Sequence, residues 1–201
     1  VINEHADQFH GRAHTVTFVG RLSPEKNPLL AVSAMREICH TRHDIQLVVI
    51  GDGPLKEELM DHARDLPITF LGHLTDREYI ASILRNSFCT LNLGDRETFS
   101  LSTLESLASG TPAIVASSGA SREILAAGCG VATSLTPICV SLAIESILLS
   151  DRDVARKACR DRASQFTWEK AAKTLLHNYA NSEPISNLEN QSHNIEFGQV
   201  A

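Results

Sequence analysis

Short apolar runs alternate with amphipathic stretches along most of the chain. TVTFVG (residues 15–20) is β-rich and ends in glycine. IQLVVIG (45–51) is almost continuously apolar, as expected of a strand buried on both faces of a parallel sheet. ITFLG (68–72), FCTLNLG (88–94) and PAIVAS (112–117) repeat the pattern, and residues 130–133 predict a short sixth strand. Between these runs the apolar positions take helical spacing. One helix runs from Pro28 through Leu30, Ala34, Met35 and Ile38, with Asn27 as its cap and proline at the permitted first position. Others are predicted from the Asp52-Gly53-Pro54 turn to Arg64, from a Thr75 cap to Asn86, from Leu101 to Ala108, and from Ser121 to Ala127.

Beyond residue 136 the pattern is helical alone, with helices over 137–149, 151–166 and 167–179, the last capped by Thr167. The closing segment, 181–201, is polar and without periodicity, and a disordered or loosely attached tail is expected there. Residues 1–14 read as a linker. Strands separated by helices of this length imply right-handed crossovers and an α/β fold, a doubly wound, Rossmann-like parallel sheet with carboxyl-terminal helices. Such sheets bind ligands outside the carboxyl ends of their strands.

At 201 residues the length suits one such domain with a buried core, over 15–180. A net charge of −6 gives no basic footprint for nucleic acid, and no apolar run reaches the ~20 residues of a membrane-spanning helix. The five cysteines are scattered, with no C-x-x-C pair, as expected of reduced thiols in a cytoplasmic protein. Cys39, His40 and His43 lie close in sequence, but at a helix end with no carboxylate beside them, and are not read as a metal site.

The chemistry concentrates in RETFSLSTLESLASGTPAIV, where Glu97 and Glu105 have seven residues between them. The first glutamate precedes a helix and the second lies within it. The helix start between them offers unsatisfied backbone N–H groups, a ready anion site. Two carboxylates able to accept from hydroxyls, around a phosphate cradle, suit a nucleotide-sugar. GRLSPEKN (20–27) ends the first strand on the same edge and places Arg21 and Lys26 toward a diphosphate, a planar fork and a point charge respectively. Ser100 and Ser102 are candidate caps, and Thr103 a candidate phosphate contact. Gly72, His73 and Leu74 end the third strand, where backbone groups can meet a nucleobase; a plain turn fits them equally well. Gly119, Ala120 and Glu123 follow the fifth strand as candidate pocket residues. Gly51-Asp52-Gly53 lacks the remaining spacing of a dinucleotide fingerprint, so a hydride-transfer cofactor is not expected.

FVGRLSPEKN, VVIGDGPLKEEL, ITFLGHL, RETFSLSTLESLASGTPAIVAS and QFTWEKAA together resemble the donor-binding, carboxyl-terminal half of retaining glycosyltransferases of the GT-B fold, family-4 type, from about Thr15 to Tyr179. The resemblance implies that Arg21 and Lys26 bind the diphosphate, with Gly20 beside them. It implies that Glu97 contacts the transferred sugar, Glu105 the ribose, and the amides of Phe99, Ser100 and Leu101 the sugar and phosphate. It further implies hexosyl transfer to an acceptor hydroxyl with retention, no cofactor and no metal; the ligand-edge loops carry no Asp-x-Asp motif. RETFSLSTLES leans toward enzymes that use GDP-mannose. Acceptor binding would fall to a facing amino-terminal half, through which a cytoplasmic protein would also meet the inner face of a membrane. A nucleotide-binding module inactive without that half, and a nucleotide-sugar epimerase of similar build, stay open as alternatives. Ser100 stands where the family has glycine, Gly119-Ala120 where it has Gly-Gly, and Arg122 where it has proline. These departures bear on the fit of the sugar more than on the phosphates.

Overall fold

The computed structural model describes residues 14–181; the linker reading over 1–13 and the polar tail after Asn181 lie outside the described residues. Contacts divide the chain into two units, 1–164 and 165–201.

The first unit is built on a six-stranded, all-parallel sheet in the order β3-β2-β1-β4-β5-β6. The strands are β1 (His14–Val19), β2 (Ile45–Ile50), β3 (Ile68–Gly72), β4 (Cys89–Asn92), β5 (Ala113–Ala116) and β6 (Gly130–Thr133). The crossovers are α1 (Pro28–Cys39), α2 (Lys56–His62), α3 (Arg77–Asn86), α4 (Leu101–Ala108) and α5 (Ser121–Ile124), followed by α6 (Pro137–Leu148) and α7 (Arg152–Ala163). Every predicted strand is present, and the helices differ from expectation only at their ends. The apolar run of β2 is buried at every position, as its lack of alternation requires.

The two faces of the sheet bury different sets of residues. Val16, Phe18, Leu47 and Val49 pack with Ala31, Met35 and Ile38 of α1 and with Val140 and Ile144 of α6. On the other face Val48 and Ile50 pack with Ile83 of α3, flanked by Leu74 and Tyr79. Several inward hydroxyls are paired, although those of Tyr79 and Ser121 find no hydrogen-bond partner among the described residues. Thr17 and Ser87 share a hydrogen bond of 2.6 Å, and Thr90 and Ser106 one of 2.7 Å, from which Ser106 also donates to the Thr111 carbonyl.

Two caps depart from the sequence reading. Asn27 precedes α1 but makes no side-chain cap; it takes the left-handed conformation, with φ 51°, a region asparagine tolerates better than most residues. The α3 cap is Asp76, not Thr75: its carboxylate accepts from the amides of Glu78 and Tyr79. A carboxylate also complements the helix dipole, which a threonine does not.

The second unit contains α8 (Trp168–Asn181), whose start is capped by the Thr167 hydroxyl accepting from the Lys170 amide. Among the described residues no helix is long and apolar enough to cross a membrane.

Candidate functional site at the switch point of the sheet

The strand order reverses between β1 and β4, and in doubly wound sheets the crevice at this reversal holds the ligand. The loops that flank it follow β1 and β4, and they carry the candidates read from the sequence. After β1 the chain passes through Gly20 and Arg21 into a short 3-10 turn, Pro24–Lys26. After β4 it passes through Leu93 and Gly94 to Glu97 and then to α4.

On the β2 and β3 side of β1 the strand ends enclose a cleft of about 450 Å³, lined by Val19, Arg21, Ile50, Asp52, Leu74 and Ile80, with Gly20, Gly51 and His73 completing it. Its floor is backbone. The Gly20 amide donates to the Ile50 carbonyl, and the Gly51 amide to the Gly72 carbonyl. A Cβ on Gly51 would stand 1.9 Å from the Gly20 carbonyl oxygen, so only glycine fits there. Arg21 is exposed and has no ion-pair partner among the described residues. Asp52 is held ionised, its carboxyl drawn below the usual range by the Lys56 ammonium at 2.7 Å and then by the Gly53 amide. His73 and Leu74 therefore stand with Gly20 and Arg21 around one cleft, and Gly72 reaches it only through the bond of its carbonyl to Gly51.

On the β4 side the loops are tied together. Lys26 and Glu97 form an ion pair, and the Asn27 side-chain amide donates to the Leu93 carbonyl at 2.9 Å. Farther along, the Ala120 amide donates to the Glu97 carbonyl at 3.3 Å, and a Cβ on Gly119 (φ 92°) would meet the Asp95 carbonyl oxygen at 2.6 Å. The glycine is thus needed at 119, whereas Ala120 has φ −81° and needs none. Arg122 donates to the Ser117 carbonyl across this loop, and Glu123 is exposed.

α4 is anchored by hydroxyls, those of Ser100 and Ser102, expected as caps, and that of Thr103, expected at a phosphate. Ser100 is buried and caps the helix, accepting from the Thr103 amide at 3.4 Å and the Thr103 hydroxyl at 2.9 Å. Ser102 donates to Asn92 at 2.8 Å, and Asn92 to Thr90 at 3.2 Å. Asn92 escaped the sequence reading because it ends an apolar strand; its signal is an amide side chain facing a serine-rich helix start. Thr103 is fully buried, its hydroxyl turned to Ser100. The first two helix amides, of Leu101 and Ser102, are left without an acceptor among the described residues. Phe99 and Leu101 present exposed side chains at this end, and Glu105 is exposed on the helix without an ion-pair partner among the described residues.

The sequence model described as glycosyl transferases group 1 matches residues 3–166. The chain belongs to this family. A GDP-mannose-dependent alpha-(1-6)-phosphatidylinositol dimannoside mannosyltransferase of Mycobacterium tuberculosis is 38% identical over 157 residues, or 78% of this chain and 41% of that protein. Among solved structures, the C-terminal domain of LpcC, a group 1 family protein of Francisella tularensis, matches with TM-score 0.67 at 21% identity, over 82% of this chain and 93% of that one. Anabaena HepE in complex with UDP and glucose matches with TM-score 0.75 at 16% identity, over 89% of this chain and 51% of that one. The fold is that of the carboxyl-terminal, donor-binding half of a GT-B glycosyltransferase. This group 1 chain spans about two fifths of the length of the curated relatives it matches.

Proposed function

We propose that this chain binds the nucleotide-sugar donor of a hexosyltransferase. The whole protein would move the hexosyl group from a nucleoside diphosphate sugar to an acceptor hydroxyl with retention of configuration. The observation that carries the reading is the gathering of three features along the strand ends that flank the switch point: the guanidinium of Arg21 in the cleft, unpaired among the described residues, Lys26 beside Glu97, and the amides at the start of α4 that have no acceptor among the described residues.

In this reading the apolar walls made by Val19, Ile50, Leu74 and Ile80 take a planar nucleobase, with the backbone of Gly72, His73 and Leu74 at its edge. Glu105 accepts the ribose hydroxyls. Arg21 and Lys26 hold the diphosphate with the α4 amides, and as the sugar departs these donors meet the charge that grows on the leaving phosphate. That assignment needs neither a cofactor nor a divalent cation. Glu97 accepts from hydroxyls of the transferred sugar. The departing phosphate, on the same face as the acceptor, takes the acceptor proton. Mannose from GDP-mannose is favoured as donor, supported by RETFSLSTLES and by the 38% identical relative named for GDP-mannose dependence. Acceptor capture and transfer belong to a facing half, so this chain alone binds the nucleotide without transferring sugar.

Calorimetric titration with GDP, UDP and NAD, with and without a chelator, tests the reading. A nucleoside diphosphate bound equally in both conditions, and NAD not bound, is the expected result. Tight NAD binding would end it.

A further inference from the structure

The crevice between β1 and β4 is where a diphosphate would bridge Arg21 to α4, yet it is shut. The ion pair of Lys26 with Glu97 spans it, and the two side chains are only 33% and 20% exposed. Beneath the pair a cavity of about 10 Å³, bordered by Phe18, Asn92, Gly94 and Ser102, has room for about one water. The open cleft lies on the other side of β1. Gly94 packs closely beneath the pair: a Cβ there would stand 3.2 Å from a carboxylate oxygen of Glu97 and 3.1 Å from the Glu25 carbonyl oxygen. A ligand that draws Lys26 wholly onto its phosphates takes it from Glu97.

We propose that the Lys26–Glu97 pair is a latch by which the site discriminates between a nucleoside diphosphate sugar and the bare nucleoside diphosphate. This inference rests on the nucleotide-sugar reading above. A bare diphosphate that takes Lys26 leaves the Glu97 carboxylate half-buried, without its cation and close to another anion, an arrangement that costs free energy. The intact donor brings sugar hydroxyls that donate to the released carboxylate and offset that loss. Once the sugar has left, Glu97 competes again for Lys26, and re-forming the pair expels the spent nucleotide.

Glu97→Gln keeps the side-chain shape and removes the ion pair. Its affinity for GDP and UDP is compared by calorimetry with that for GDP-mannose and UDP-glucose, in the wild-type chain and in a Lys26→Met background. The expected result is roughly three- to fivefold tighter binding of the bare diphosphate, the worth of an ion pair that no longer has to be broken. The preference for the sugar-bearing ligand should fall, and the gain should vanish in the Lys26→Met background. A wild-type chain that binds diphosphate while Glu97→Gln shows no gain overturns the latch and leaves the nucleotide reading standing. A gain that persists without Lys26 also overturns it, because direct repulsion by Glu97 would then account for the effect. If neither the wild-type chain nor Glu97→Gln binds any of the four ligands, the latch and the nucleotide reading fall together.

Discussion

The side-chain amide of Asn27 donates to the backbone carbonyl of Leu93 at 2.9 Å, fastening the start of α1 to the end of β4 across the switch point. The same residue turns the chain with φ 51° into Pro28, so a single asparagine fixes both the path of the loop after β1 and its distance from the loop after β4.

Asn27→Ala loses both functions and Asn27→Gly only one. The alanine variant should be destabilised by about 2 kcal/mol, from left-handed strain and a lost hydrogen bond, and the glycine variant by about half of that. Urea unfolding of the two variants checks it; equal losses would mean that the backbone conformation carries no strain.

Gly51 and Gly128 both have positive φ, yet they should respond differently to alanine. A Cβ at 51 would meet the Gly20 carbonyl oxygen at 1.9 Å, whereas one at 128 meets only the Ala158 methyl at 3.4 Å. Gly128→Ala should therefore cost about 1–2 kcal/mol of conformational strain. Gly51→Ala should cost clearly more and also distort the cleft. Thermal melts of both variants distinguish these cases, and equal shifts would refute the close-approach argument.

Glu105 is exposed and Arg21 unpaired among the described residues, so removing either should leave the fold intact. Glu105→Ala and Arg21→Ala should each weaken nucleoside diphosphate binding by about 1–3 kcal/mol, for lost ribose and phosphate hydrogen bonds respectively, with melting temperatures unchanged. Unaltered affinity in either variant removes that residue from the site.

Burial pushes the thiols of Cys89 and Cys159 up to about 12, against 9.0 for an ordinary cysteine. A pKa raised by folding stabilises the protein below the unfolded value and loses that contribution as pH rises toward the folded value. Urea midpoints should hold up to about pH 9 and then fall toward pH 12, and Cys89→Ala should make the fall shallower. At pH 8 an alkylating reagent should reach the half-buried Cys39 and Cys139 before the buried Cys89, Cys129 and Cys159.

The strands were legible because a parallel sheet covered on both faces leaves runs such as IQLVVIG with no polar alternation to confuse them. Glycines at the strand ends marked the ligand edge for the same local reason. Features that depend on partners distant in sequence were not legible. Nothing near residue 103 says that the Thr103 hydroxyl turns inward to Ser100, or that Lys26 is held by a glutamate 71 positions away. Asn27 looked like a side-chain cap because asparagine serves equally well as a cap and as a left-handed residue. Choosing between these roles requires knowing that the Leu93 carbonyl lies within reach.

The cleft floor formed by Gly20 and Gly51 has a consequence for how binding preferences change over descent. A surface made of main chain offers the same donors and acceptors whatever the rest of the sequence does, and at Gly51 the contact with Gly20 forbids the addition of even a methyl group. Substitutions that retune ligand choice must therefore accumulate in the walls, at His73, Leu74 and Ile80, while the floor passes unchanged from one specificity to the next.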